Sequence, residues 1–156
     1  GTTVRLTFAI PTAPAGVAQP DDEPIRPQQL RILIVDDDPV LLKSLCDILE
    51  ADGHALTASH GGQAGIDAFR SARERSESFD IVITDLGMPY VDGRKVASTL
   101  KSLAPDLPVI LLTGWGERLA AEGDIPPHVD RVLSKPPKLR DLRAALAMLT
   151  RTSAQR

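Results

Sequence analysis

Short, nearly uninterrupted runs of Val, Ile and Leu recur along this chain from residue 30 onward. Four of them end in residues that can handle a phosphoryl group: residues 32–35 precede Asp36-Asp37, residues 81–83 precede Thr84-Asp85, residues 109–112 precede Thr113, and residues 132–133 precede Ser134-Lys135. Continuous apolar runs, without polar alternation, are typical of strands that are buried on both faces. The pattern predicts strands at 32–35, 54–58, 79–84, 108–112 and 131–134, of which 54–58 is the weakest.

The segments between these runs have the periodicity of amphipathic helices. Helices are predicted at 39–51, 63–75, 93–104 and 138–150, with at most a short helix in 114–127. The first helix has Asp38 as its N-cap, Pro39 in the tolerated first turn and Gly53 as its stop. Its predicted buried face is Leu41, Leu45, Ile48 and Leu49, and that of the last helix is Leu139, Leu142, Leu146 and Leu149.

Alternating strands and helices predict an α/β fold, because parallel strands must be joined by crossover helices that cover both faces of the sheet. We expect a flavodoxin-like, doubly wound, five-stranded parallel sheet of order 2-1-3-4-5. In such sheets ligands bind beyond the carboxyl ends of the strands, where the strand order switches. With strands 1 and 3 adjacent, Asp36, Asp37 and Asp85 would lie close together.

The chemistry of these residues favours a metal-assisted phosphoryl site. Three clustered carboxylates repel one another, and a hard divalent cation such as Mg²⁺ (or Mn²⁺) relieves that repulsion through oxygen ligands. Asp85, at the end of the central strand, is the candidate nucleophile toward phosphorus. Lys135 would neutralise charge, and the Thr113 hydroxyl would hydrogen-bond a phosphoryl oxygen.

Composition adds few constraints. The 156 residues carry a net charge of −3 with no basic block, so we expect no nucleic-acid partner. The single cysteine, Cys46, fits a reducing, cytoplasmic setting. No apolar stretch approaches the roughly 20 residues that a membrane-spanning helix needs, so we expect no membrane insertion by this segment.

Residues 30–151 resemble the receiver domain of two-component response regulators. The resemblance is carried by five motifs in order: Ile34-Val35-Asp36-Asp37-Asp38-Pro39, Thr84-Asp85-Leu86-Gly87-Met88-Pro89, Asp92-Gly93, Leu112-Thr113-Gly114 and Ser134-Lys135-Pro136. It implies that Asp85 accepts phosphate from the phosphohistidine of a histidine kinase or a histidine phosphotransfer domain. It also implies a domain that catalyses its own phosphorylation and dephosphorylation.

The same resemblance assigns further roles. Asp36 and Asp37 would form the acidic pair that holds Mg²⁺, with the backbone carbonyl of Gly87 as another ligand. Thr113 and Lys135 would match the switch hydroxyl and lysine, and the Lys135-Pro136 bond would be cis. The chain departs from the family at two positions that are commonly aromatic: the switch position carries Val132, and Pro137 follows Lys135-Pro136.

The residues before the predicted domain suggest a longer parent protein. Residues 1–10 predict one strand and resemble the closing strand of a histidine-kinase ATP-binding domain, while residues 11–29 are a proline-rich linker. With a receiver at 30–151 and a tail at 152–156, this order suggests the C-terminal part of a hybrid sensor histidine kinase. We expect no output domain after the last helix, so that the signal leaves through a partner, through the parent kinase or by draining phosphate from it.

Two alternatives come from other functional classes. An Asp-x-Asp after a strand also begins haloacid-dehalogenase-type phosphatases, with Asp36 as nucleophile, Asp38 as general acid and Val40 at a compatible position. That interpretation lacks a late acidic pair and leaves Asp85 without a role. The second alternative is a degenerate receiver that acts only as a binding module.

Overall fold

A computed structural model of the chain describes residues 28–154, which form five strands and five helices. In chain order these are β1 (Arg31–Asp36), α1 (Pro39–Ala51), β2 (Ala55–His60), α2 (Gly62–Glu74), β3 (Ile81–Asp85), α3 (Gly93–Leu103), β4 (Val109–Thr113), α4 (Gly116–Glu122), β5 (Arg131–Ser134) and α5 (Leu139–Ala154). The predicted strand at 1–10, most of the predicted linker and the last two residues of the predicted tail lie outside the described residues.

The strands form one parallel sheet of order β2-β1-β3-β4-β5. Helices α1 and α5 pack on one face of this sheet and α2 and α3 on the other, while α4 packs against β5. The predicted fold class and strand order are therefore confirmed. None of the helices in residues 28–154 combines the length and apolar character that spanning a membrane requires.

Side chains alternate between the two faces along β1, as in any strand. Ile32 and Ile34 join a cluster under α1 and α5, whereas Leu33 and Val35 join a second cluster under α2 and α3. All four are fully buried. This two-sided burial is the physical reason why the strands are continuous apolar runs.

Several element boundaries and faces differ from the predictions. The buried face of α1 centres on Leu42, Leu45 and Leu49, so that Leu41 and Ile48 are only half-buried. Strand β2 runs on to His60, because it pairs with β1 along its whole length at the edge of the sheet. Helix α5 continues to Ala154, so residues 152–154 of the predicted tail are helical.

Candidate functional site

The carboxyl ends of the central strands bring the predicted acidic residues together. Asp36 ends β1 and Asp85 ends β3, and these strands are hydrogen-bonded neighbours. Asp36, Asp37 and Asp85 each place a carboxylate oxygen within 4.8 Å of the others. Asp36 is 1% exposed and Asp85 is 5% exposed, whereas Asp37 is exposed to solvent. The cluster thus has a buried floor and one accessible side.

Lys135 reaches this cluster from the end of β5. Its ammonium Nζ lies 2.9 Å from Asp36 Oδ2 and 3.2 Å from Asp85 Oδ2. The backbone N–H of Lys135 donates to the Thr113 carbonyl at 3.0 Å, which fixes the start of its loop against β4. The Lys135–Pro136 peptide bond is cis.

The electrostatics of the cluster follow from burial and close contact. Burial raises the pKa of Asp36, an effect that the Asp38 backbone N–H and Lys135 reduce and the Asp85 charge reinforces. Burial alone would lower the pKa of Lys135. The nearby carboxylates of Asp36 and Asp85 have the larger combined effect, so the pKa of Lys135 is raised above its ordinary value. The ammonium therefore stays charged at neutral pH and only partly compensates the acidic groups.

The donor set fits a hard divalent cation. Asp36 Oδ1 accepts a hydrogen bond from the Asp38 N–H at 2.8 Å, whereas the buried Oδ2 accepts none from the part of the chain that is described. Lys135 Nζ forms an ion pair with Oδ2 at 2.9 Å. A buried carboxylate oxygen with a free lone pair, beside two further carboxylates, is suited to Mg²⁺.

Thr113 lies at the end of β4, next to Asp85 at the end of β3. Its side chain is buried, and its Oγ1 accepts a hydrogen bond from the Trp115 N–H at 3.2 Å. The hydroxyl therefore ties its own loop to the strand end. Trp115 itself is 65% exposed.

The remaining predicted residues lie around this cluster. Gly87 is exposed in the loop after β3, two residues beyond Asp85, and Pro136 is exposed after β5. Val132 is half-buried within β5, where its backbone pairs with Leu111. It is therefore not at the strand ends that bring the acidic residues and Lys135 together.

Asp38 has the structural role predicted for it. Its Oδ1 accepts hydrogen bonds from the Val40 N–H at 2.9 Å and the Leu41 N–H at 3.3 Å, which caps α1. Capping of α1 therefore accounts for an acidic residue at position 38 without a catalytic role.

Two glycines have positional roles that the sequence did not indicate. A Cβ on Gly93 would collide with the carbonyl oxygen of Asp85, and one on Gly116 would lie 2.6 Å from the Ser134 backbone nitrogen. Both glycines begin helices, so the absence of a side chain lets α3 and α4 approach the strand ends. The sequence signalled only the Asp92-Gly93 pair, as a helix start.

Comparison with known proteins identifies close relatives. The chain matches the family model of the response regulator receiver domain over residues 32–147. The two-component response regulator ORR26 of Oryza sativa subsp. japonica is 36% identical over 117 residues, which are 75% of this chain and 19% of the rice protein. Response regulator MprA of Mycobacterium avium is 32% identical over 127 residues, which are 81% of this chain and 54% of that protein. The chain thus spans about a fifth of the length of the rice protein and about half of the length of MprA.

Solved structures agree with the sequence matches. A response regulator receiver domain protein from Clostridium thermocellum superposes with a TM-score of 0.70 at 28% identity, over 81% of this chain and 98% of that chain. The response regulator TrrA from Thermotoga maritima, crystallised in complex with Mg²⁺-BeF, superposes with a TM-score of 0.65 at 25% identity, over 78% of this chain and 99% of its own.

Proposed function

This chain belongs to the response regulator receiver family, and from that membership we propose that it accepts a phosphoryl group on Asp85 in a Mg²⁺-dependent transfer from a phosphohistidine. The donor would be a histidine kinase or a histidine phosphotransfer domain. The resemblance of residues 1–10 to a kinase segment supports a hybrid kinase as the parent protein, acting in the cytoplasm.

One observation carries the proposal: three carboxylates and an ammonium converge on the end of β3. Asp85 has Lys135 Nζ at 3.2 Å, and its oxygen lies within 4.8 Å of oxygens from Asp36 and Asp37. Phosphoryl transfer depends mainly on positioning and charge neutralisation, so little further machinery is needed. The relative solved with Mg²⁺-BeF supports the same chemistry.

In the proposed reaction, a carboxylate oxygen of Asp85 attacks phosphorus in line with the phosphorus–nitrogen bond. That bond breaks, its electron pair stays on the imidazole nitrogen, and the imidazole leaves and takes up a proton. Lys135, whose Nζ lies 3.2 Å from Asp85 Oδ2, stabilises the negative charge of the transferred group. Bound Mg²⁺, held by Asp36, Asp37, Asp85 and the Gly87 carbonyl, would neutralise charge on the phosphoryl oxygens.

The proposed switch uses the Thr113 hydroxyl. To bind a phosphoryl oxygen, Oγ1 donates its proton toward Asp85. Because the same oxygen accepts the Trp115 N–H at 3.2 Å, a movement of the Thr113 side chain toward the phosphoryl group changes that contact. A change at that contact alters the start of α4, which begins one residue after Trp115. Val132 replaces the aromatic partner of this switch, so we propose that the signal leaves through the β4–α4 loop.

The test is labelling with acetyl phosphate in the presence of Mg²⁺, followed by borohydride trapping and peptide mapping. The wild-type chain should carry one label on Asp85, and Asp85→Asn should carry none. Asp124→Asn is the matched control, because Asp124 is an exposed residue in the loop after α4 and should label like wild type. Labelling of Asp36 would instead support the phosphatase, and no labelling at all would leave only a binding module.

A further inference from the structure

The edge of the sheet opposite Asp85, where the strands begin, carries an open groove of about 340 Å³. It lies where the ends of α2 and α3 meet the segments that lead into β3 and β4. Its lining includes the apolar side chains of Phe69, Phe79 and Leu107, and the rings of the two phenylalanines stack with centroids 6.1 Å apart. The polar wall on the α2 side includes Arg73.

The chain enters the fold beside this groove. A second recess, lined in part by Gln29 and Arg31, shares Ser78 and Asp80 with the groove. The Arg31 N–H donates to Asp80 Oδ2 at 2.7 Å, and its guanidinium lies 5.8 Å from the centroid of the Phe79 ring. The first described residues are therefore already in contact with the groove wall.

The segment that leads to this entry point has matching chemistry. Residues 20–27 have the sequence Pro-Asp-Asp-Glu-Pro-Ile-Arg-Pro. Prolines favour an extended conformation with little entropy left to lose, which is why aromatic-lined grooves bind proline-rich segments. Ile25 is four residues before Gln29, and four extended residues span about 13 Å.

Charge matches at one wall of the groove. The acidic run at 21–23 precedes the apolar residue, and the α2 wall of the groove carries the exposed Arg73. The acidic side chains that also line the groove, Asp80 and Asp106, belong to the segments before β3 and β4. The geometry and the charges point to one occupant, and we propose that residues 20–27 of this chain dock in the groove. Ile25 contacts the phenylalanine floor, and the acidic run faces Arg73 of α2.

This docking is separate from the phosphoryl chemistry, because the groove lies at the edge of the sheet opposite Asp85. Its consequence is mechanical: it fixes the direction in which preceding segments leave the domain. The surface would thus couple the receiver rigidly to its parent protein rather than through a loose tether.

Disulfide trapping in the full chain tests the proposal. In a Cys46→Ala background, Ile25→Cys is combined with Ala104→Cys, whose side chain lines the groove. The matched control combines Ile25→Cys with Ala51→Cys, an exposed site at the end of α1 on the other face of the sheet. With oxidised glutathione at low protein concentration, the first pair should close within the monomer at least about tenfold faster. Equal rates would refute docking, and predominantly dimeric products would assign the groove to a second copy.

A second measurement does not depend on disulfide formation. In the otherwise native full chain, Ile25→Asp should shift the backbone amide resonances of Phe79 and Leu107, because it removes the apolar contact with the groove floor. Val17→Asp makes the same change elsewhere in the proline-rich segment and should leave these resonances in place. If both variants give spectra identical to wild type at the groove, the segment does not dock there.

Discussion

Lys135 is expected to contribute to folding stability as well as to chemistry, and Lys135→Met separates its charge from its length. The substitution removes two contacts, at 2.9 and 3.2 Å, from carboxylates whose side chains are 1% and 7% exposed. At an effective dielectric constant of about 20, each contact amounts to roughly 5 kcal/mol before desolvation is subtracted. Removing one partner of a fully buried ion pair costs about 3–5 kcal/mol. Because the Lys135 side chain is 22% exposed, we expect a loss of about 2–3 kcal/mol without divalent cation.

The assay is urea unfolding, monitored at neutral pH in the presence of a chelator. With a slope of about 2 kcal/mol per molar urea, the midpoint should fall by roughly 1 M while the slope stays unchanged. Lys138→Met is the matched control, because Lys138 is exposed and forms no ion pair with any residue of 28–154. Its midpoint should stay close to that of wild type, as for most surface substitutions.

The loss of folding stability caused by Lys135→Met should also depend on pH. Burial already raises the pKa of Asp36, and loss of the ammonium raises it further. A carboxyl whose folded-state pKa exceeds its unfolded value stabilises the fold at low pH, and that contribution is lost as the pH rises through the folded-state pKa. The Lys135→Met penalty should therefore be larger at pH 8 than at pH 5.

Mg²⁺ should then reverse much of the loss. A cation that binds only the folded state stabilises it by mass action, and in the variant no ammonium competes for Asp36 and Asp85. The stability gained from saturating Mg²⁺ should therefore be greater in Lys135→Met than in wild type. A penalty no larger than that of Lys138→Met, unaffected by pH and Mg²⁺, would refute this account of the cluster.

Two further predictions concern stability elsewhere in the fold. Gly93→Ala should destabilise the chain by about 1–2 kcal/mol in urea, because overpacking against the Asp85 carbonyl exceeds the gain in helix propensity. Gly87→Ala, which meets no atom within 4 Å, should lie near wild type, and equal losses would contradict the close approach. Burial lowers the pKa of His54 in the folded chain. The stability that the neutral imidazole contributes is therefore fully present above the unfolded-state pKa of about 6.5, and it is lost as the pH falls through the folded-state pKa. His54→Asn, which keeps an acceptor for the Leu30 N–H, should flatten the stability profile between pH 7.5 and 5, and superimposable profiles would contradict this.

The polar ends of the strands could be predicted because two local signals coincide at them. An uninterrupted apolar run marks a strand buried on both faces, and the first polar residue after it must lie at the strand's carboxyl end. Parallel strands share that edge, so the sequence predicts the positions of Asp36, Asp85 and Thr113 at the strand ends. The adjacency of β1 and β3 came from the expected strand order, since nothing within either strand encodes its neighbour.

The features that could not be predicted depend on how closely elements that are distant in the sequence pack against each other. Periodicity places Leu41 and Leu42 almost equally well on the buried face of α1, and only the packing of the helix against the sheet selects Leu42. The role of Gly93 depends on how closely α3 approaches the end of β3, a distance that no local pattern contains. The same holds for Lys135, whose charge was predicted to lie at the cluster but whose simultaneous contact with two carboxylates was not.

The two edges of the sheet differ in a way that bears on function. At the carboxyl edge, acidic groups are crowded and only partly compensated, which favours a change of state when a cation or a phosphoryl group binds. At the opposite edge, side chains tie neighbouring strands together: Asp80 accepts the Arg31 N–H at 2.7 Å, and Asp130 accepts the Val109 N–H at 2.8 Å and pairs with Lys101 at 2.9 Å. These contacts hold the starts of β1, β4 and β5 in place. Rearrangement at the Asp85 edge can therefore occur on a sheet whose other end stays fixed, and a segment docked at that fixed end would keep its position throughout.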